Sequence, residues 1–358
     1  MSLAYELVCR GLDVVLVDRH HQGRATDAGA GILSPETFLD PDDRWAELAL
    51  AAGEHHRQLT LRVEEDGGEG TGREVCGLIQ LSTSEGEDEW LAKGADLAER
   101  RSPGVVAEID PDEAARMFPP LAPVRGALLN PRAARIDGRR ATEAIEKAAS
   151  KRGLRRLDGE VGSVKLEGDR VVGVESDAGN VAAGSVAIAG GAWSARFAEQ
   201  LRVNLPIGPM KGQIIHMTLP GVETGSWPIV QPVFSHYLVP WPGGRVACGG
   251  TLEADAGFDT SPTAGGVYEL LREGLRTAPG LAGATVSEVR VGLRPASKDD
   301  RPVLGRLDEW SNVYLATGHG TGGLLLGPYT AALVADTIVS GVIPELIADL
   351  SPGRFATL

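Results

Sequence analysis

Cysteine is scarce in this chain: Cys9, Cys76 and Cys248 are scattered and odd in number, which argues against a disulfide framework and suits reduced thiols. Basic charge is short as well. Lysine and arginine number 35 against 49 acidic residues, a formal net charge of -14, so no nucleic-acid partner is expected, because phosphates call for basic patches. No apolar run approaches the roughly 20 residues that cross a bilayer. No signal-peptide pattern opens the chain, since its first apolar stretch contains Glu6 and Arg10 and ends at Gly11, and a cytoplasmic location follows as the expectation. Hydrolase chemistry lacks both a G-x-S-x-G elbow and a cysteine with an evident histidine. The pairs His20-His21 and His55-His56 are adjacent, so they point opposite ways on a strand or about 100° apart on a helix, and no metal site is expected.

What is present is the material of a globular protein, with 42% hydrophobic and 23% charged residues over 358 positions. That length implies two domains. Leu3, Ala4, Leu7 and Val8 share one face of a helix over residues 2–10, Gly11 stops it, and Asp13 to Val17 form a short buried strand. Asp18 closes the strand where a dinucleotide fold places an acid on the ribose. The usual unit is strand, G-x-G-x-x-G, helix, strand, acid. This sequence starts at the helix, and the expectation is that the true protein begins upstream of Met1.

Two distant segments have the same strand-loop-helix character. One is VAIAGGAW, residues 186–193, with Gly190 and Gly191 ahead of a helix; the other is VYLAT, residues 313–317, followed by Gly318 to Gly323 and an apolar helix from about Leu324 to Ser340. A discontinuous nucleotide-binding domain accommodates all three pieces. Between them the texture turns antiparallel: Gln213 to Thr218, Tyr237 to Trp241 and Arg245 to Gly249 are strand-like, with a turn at Pro242-Gly243-Gly244. Thr263 caps a helix to about Arg276, and Glu64 to Gly72 is a charged, glycine-rich surface loop.

Glycine clusters at Thr26 to Leu33 and Gly318 to Gly323 would let a pyrophosphate approach backbone N–H groups. A helix N-terminus after Gly318 would also favour an anion developing beside it. His319 is either a cofactor-side contact or a histidine satisfied by a local hydrogen bond. Arg294, in Gly292-Leu293-Arg294-Pro295, is either a surface arginine or a two-pronged clamp for a carboxylate. Tyr237 either packs its ring or offers its hydroxyl to a ligand.

Taken together, SLAYELVCRGLDVVLVDRH, ATDAGAGILSP, VAIAGGAWS, HYLVP, RVACGGT, GLRP and ATGHGTGGLLLGP resemble the D-amino-acid oxidase family, and within it the glycine oxidases associated with thiamine biosynthesis. The resemblance spans almost the whole chain. It implies an α/β fold: a discontinuous Rossmann-like FAD-binding domain (residues 1–40, 136–203 and 296–358) and an antiparallel-sheet substrate domain (41–135 and 204–295). It implies FAD contacts from Asp18, Arg19, Ala25, Thr26, Ala30, Gly31, Ile32, Val161, Gly190 and Gly191. The loop His319, Gly320, Thr321, Gly322, Gly323, Leu324 and Leu325 would face the flavin. Arg294 would anchor a substrate carboxylate, with Tyr237 beside it. Thr321 stands where some glycine oxidases carry a second arginine.

The activity so implied is oxidation of glycine, sarcosine or a small D-amino acid, with hydride transfer to FAD and reoxidation by molecular oxygen. Two alternatives stay open: a dehydrogenase passing electrons to another acceptor, and a truncated homologue without catalysis. Whether the chain forms a homo-oligomer is open too.

Overall fold

The computed structural model describes residues 1–37 and 42–355. The expected domain boundary at 40/41 and the last residues of the 296–358 segment lie outside them. The first helix runs Ser2–Cys9, and Gly11, at φ +81°, ends it with its N–H on the Val8 carbonyl at 3.0 Å. Its burial is wider than the single apolar face expected from the sequence, because Tyr5 and Glu6 are buried as well. The helix lies against Gly138–Lys151 and Gly323–Ser340, and Glu6 tolerates the interior because Arg10 Nη1 and Arg62 Nη2 each donate to its carboxylate at 2.6 Å.

Strand Val15–Asp18 pairs in parallel with Arg155–Asp158. Strand Val186–Ile188 pairs in parallel with Val313–Thr317, whose other side takes Val303–Arg306 antiparallel. These short strands form two small sheets, each with a free edge facing the same cavity. Helix Gly323–Ser340 is covered by Asp43–Glu65 on one side and Ser2–Cys9 on another, which explains why it is apolar nearly all round. With its preceding turn it is long and apolar enough to cross a membrane by length and composition, yet half of it is buried inside the protein.

The second body is one eight-stranded sheet. Its order is Thr285–Ser297, Ile207–Thr218, Arg245–Gly249, Tyr237–Trp241, Ile229–Pro232, Leu78–Ser82, Gly126–Asn130, Ala107–Ile109. Every junction is antiparallel except Ile229–Pro232 with Leu78–Ser82, which is parallel, so the sheet is mixed. Strand Ile207–Thr218 starts well before the expected Gln213, because the long partner Thr285–Ser297 carries Gly208, Pro209 and Gly212 into the ladder, with Pro209 opposite Pro295. Tertiary pairing overrides their weak strand preference.

Two local expectations are corrected. The segment after Gly190 winds first as a 3-10 helix, Gly191–Phe197, and only then as the short helix Ala198–Leu201. The charged surface loop begins later than Glu64, since helix Asp43–Glu65 runs through both glutamates and ends on Asp66. Thr263 does cap Ala264–Thr277, its side chain accepting from the Gly266 N–H at 3.1 Å.

Candidate active site

Asp18 sits at the end of its strand because Gly11 and the turn after it aim residues 15–18 along Arg155–Asp158. Its carboxylate accepts from the His20 N–H at 3.0 Å and faces Arg24 Nη1 at 3.3 Å. Burial opposes ionisation, but these two donors outweigh it and hold the acid below the usual carboxylate range. Arg19 turns outward to Glu160 and to His21. His21 stacks on Trp193, ring centroids 4.4 Å apart.

A cavity of about 1470 Å³ gathers the residues that the sequence pointed to. Asp18 and Arg19 line it, as do Ala25, Thr26, Ala30, Gly31 and Ile32 from the first loop, and Val161, Gly190 and Gly191 from the middle of the chain. His319 through Leu325 form another wall, and Tyr237 and Arg294 enter from the large sheet. Residues as far apart as Asp18 and Leu325 thus share one surface.

Glycine has two distinct uses here. At Gly31, φ is +85° and a β-carbon would fall 1.8 Å from the Ile136 carbonyl oxygen, so the first loop can lie on its neighbour only with glycine there. At Gly191 and Gly320, φ is +56° and +50° and nothing stands within 4 Å of where a β-carbon would be. These two turns leave their backbone bare toward the cavity. Bare backbone N–H groups, together with an acid at the end of a parallel strand that can accept from ribose hydroxyls, suit a flavin dinucleotide. The residues therefore fit FAD.

His319 is half-buried, and removal from water pushes its imidazole down to about 4, so it is neutral at ordinary pH. Its Nε2 lies 2.8 Å from Thr330 Oγ1. The local hydrogen bond and the place in the cavity wall are both real, so neither of the two sequence expectations for His319 displaces the other.

Arg294 and Tyr237 come together from separate strands. Arg294 Nη1 donates to the Thr251 carbonyl at 2.9 Å, and the guanidinium lies beside the Tyr237 phenol. Burial pushes that phenol up to about 12, against the opposing pull of Arg294, so it stays protonated and keeps its own hydrogen to donate. Among the described residues Arg294 has no carboxylate partner. The other arginines around the cavity do: Arg19 and Arg196 meet Glu160, Arg24 meets Asp18 and Asp27, Arg155 meets Asp13, and Arg156 meets Glu146.

Several lining residues escape a reading of the sequence. Gly249 and Gly250 join Tyr237 and Arg294 at the wall, and His236 stands beside them with its Nε2 3.0 Å from Glu269. His56 also lines the cavity, from inside helix Asp43–Glu65. His236 falls in HYLVP and Gly249 and Gly250 in RVACGGT, but neither segment marks them as lining residues; for His56 the one available signal is Pro328 within a helical pattern, which leaves a carbonyl without its partner.

Residues 1–337 match the family of FAD dependent oxidoreductases designated DAO. The chain is 34% identical over 354 residues to the uncharacterized oxidoreductase YurR of Bacillus subtilis (strain 168), covering 98% of this chain and 94% of that protein. Its fold is similar to the crystal structure of iminodiacetate oxidase (IdaA) from Chelativorans sp. BNC1, with a TM-score of 0.92 and 34% identity over 98% of this chain and 95% of that one. It is similar also to glycine oxidase from Geobacillus kaustophilus, with a TM-score of 0.88 and 27% identity over 99% and 95% of the two chains. With these matches and the cavity's donor set, the chain belongs to the DAO family of FAD dependent oxidoreductases, and FAD is its cofactor.

Proposed function

We propose that this chain oxidises small amino acids that carry one carboxylate, such as glycine, sarcosine or a small D-amino acid, with molecular oxygen as the final acceptor. The observation that carries the proposal is Arg294, a lining guanidinium whose neighbours are a carbonyl and a phenol and which has no carboxylate partner among the described residues. Two parallel N–H groups match a carboxylate. Similarity to a protein titled glycine oxidase supports a small monocarboxylate, and similarity to one titled iminodiacetate oxidase supports a carboxylated amine more broadly.

Bound FAD supplies a two-electron acceptor for the hydride that leaves the substrate α-carbon. The chain's own contribution is orientation. Arg294 fixes the carboxylate, the Tyr237 hydroxyl adds a second donor, and the neutral His319 adds no charge to the apolar wall. We assign cofactor contacts to the segments 1–40, 136–203 and 296–358, and substrate contacts to the large sheet.

A single carboxylate is favoured because, among the described residues lining the cavity, no second cation is free for another. His236 is committed to Glu269, burial keeps His56 and His319 neutral, and Thr321 is uncharged. The test is peroxide formation by the FAD-loaded chain with glycine, sarcosine, D-alanine and iminodiacetate. Arg294→Ala should raise KM for the monocarboxylates on the order of 100-fold, the worth of a charge-assisted pair. An unchanged KM refutes the anchor, iminodiacetate turned over as efficiently as sarcosine refutes the single carboxylate, and turnover without peroxide refutes oxygen as acceptor.

A further inference from the structure

His56 occupies the interior of helix Asp43–Glu65 and is 2% exposed. Its Nε2 lies 2.9 Å from the Leu324 carbonyl oxygen and 3.0 Å from that of Leu325. Two acceptors facing one ring nitrogen require that this nitrogen carry the proton. Burial lowers the imidazole to about 4, so it works as a neutral donor.

The acceptor side has its own reason. Helix Gly323–Ser340 contains Pro328, and in an α-helix the N–H of residue 328 would bond the carbonyl of Leu324. Proline has no N–H, so the Leu324 carbonyl is left without its helical partner. A buried carbonyl in that state is costly, and the histidine meets it. The same residues belong to the wall described above: His319 through Leu325 line the cavity, and the Leu324 side chain presses on Gly29, where a β-carbon would fall 2.5 Å from Leu324 Cδ1. His56 is held in turn, its carbonyl accepting from Thr60 Oγ1 at 3.0 Å.

We propose that His56 is a positioning residue for the flavin loop: its Nε2–H replaces the donor that Pro328 lacks and holds the His319–Leu325 wall in the form that receives FAD. This role concerns the cofactor and is independent of which amine is oxidised. A histidine that merely filled the core would have no energetic link to Pro328.

The experiment is a double-mutant cycle on the full chain with FAD affinity as readout, followed by quenching of flavin fluorescence on titration. His56→Leu should weaken FAD binding about tenfold, the cost of one unsatisfied buried carbonyl. Pro328→Ala restores a backbone N–H at position 328, so in that background His56→Leu should weaken binding less than about threefold. An equal loss in both backgrounds, or no loss in either, overturns the proposal. Should His56→Leu alone fail to fold, recovery of a folded, FAD-binding chain on adding Pro328→Ala supports it, and failure of the double variant overturns it.

Discussion

Around the Arg294 guanidinium, glycine stands wherever a side chain would collide. A β-carbon at Gly212 would fall 2.0 Å from Arg294 Nη1, and one at Gly250 would fall 2.8 Å from Nη2 and 3.2 Å from the Tyr237 hydroxyl. The clamp and the phenol therefore depend on residues with no chemistry of their own. Gly250→Ala should push the guanidinium aside and raise KM for a monocarboxylate amine by roughly tenfold with a smaller effect on kcat, since a displaced anchor loses binding shared by ground and transition states. Steady-state kinetics at saturating FAD check this, and a KM within twofold of the parent would refute it. GLRP could be noticed in the sequence. The role of Gly212, on strand Ile207–Thr218, and of Gly250, just past strand Arg245–Gly249, in making room for Arg294 could not, because strand register decides which backbone lies beside a guanidinium.

At the scale of elements, the segment from Thr251 to Thr263 carries the carbonyl that orients Arg294, and it is tied down from below. Lys211, 1% exposed, reaches Asp259 at 2.9 Å and Glu253 at 3.9 Å. The ammonium's hydrogen bond holds the Asp259 carboxyl down to about 2. Glu253 also accepts from Gln213 Nε2 at 2.7 Å. Lys211→Met removes the tether while leaving a side chain that suits the interior, so stability should change by no more than about 1–2 kcal/mol. Limited proteolysis between residues 252 and 262 should nonetheless become several-fold faster, because the loop opens locally without global unfolding. An unchanged cleavage rate would show that the backbone bonds of Lys211 to Glu253 suffice. The strand-rich texture here was legible from Tyr237 to Gly249. The tether was not, since a lone lysine beside Gly212 carries no sign of burial.

For the whole molecule, three imidazoles among the described residues are held neutral, His56 buried and His216 and His319 half-buried. His56, His216 and His319 are each lowered to about 4, with burial as the first cause in every case, and at His216 the Arg290 guanidinium adds to it. In the unfolded chain each would titrate near 6.5, give or take about a unit. Above pH 6.5 both states are neutral and the histidines cost nothing. Between pH 6.5 and 4 the unfolded chain binds protons that the folded one refuses, so stability falls as the pH falls; below about 4 the loss is complete. His56, which is buried, accounts for about 3 kcal/mol of that loss, and the half-buried His216 and His319 for less. His216 lies outside the cavity wall and its Nε2 has no hydrogen-bond partner. His216→Gln should therefore leave Tm at pH 8 within a few degrees and flatten its decline between pH 6.5 and 4. An identical pH profile would refute the assignment of that slope to His216.

The sequence by itself determined the local signals: the apolar strands at 15–18, 186–188 and 313–317, the helix stop at Gly11, the cap at Thr263, and the acid and glycine turns that a dinucleotide needs. Each depends on periodicity or turn chemistry within a few neighbouring residues. Tertiary structure alone decided what those residues meet: that Arg294 has no carboxylate partner among the described residues while the arginines near Asp18 have one, and that His56 reaches a carbonyl 268 residues away. Charge pairing and buried hydrogen bonds join residues that folding brings together, and nothing in their sequence spacing records which donor will face which acceptor.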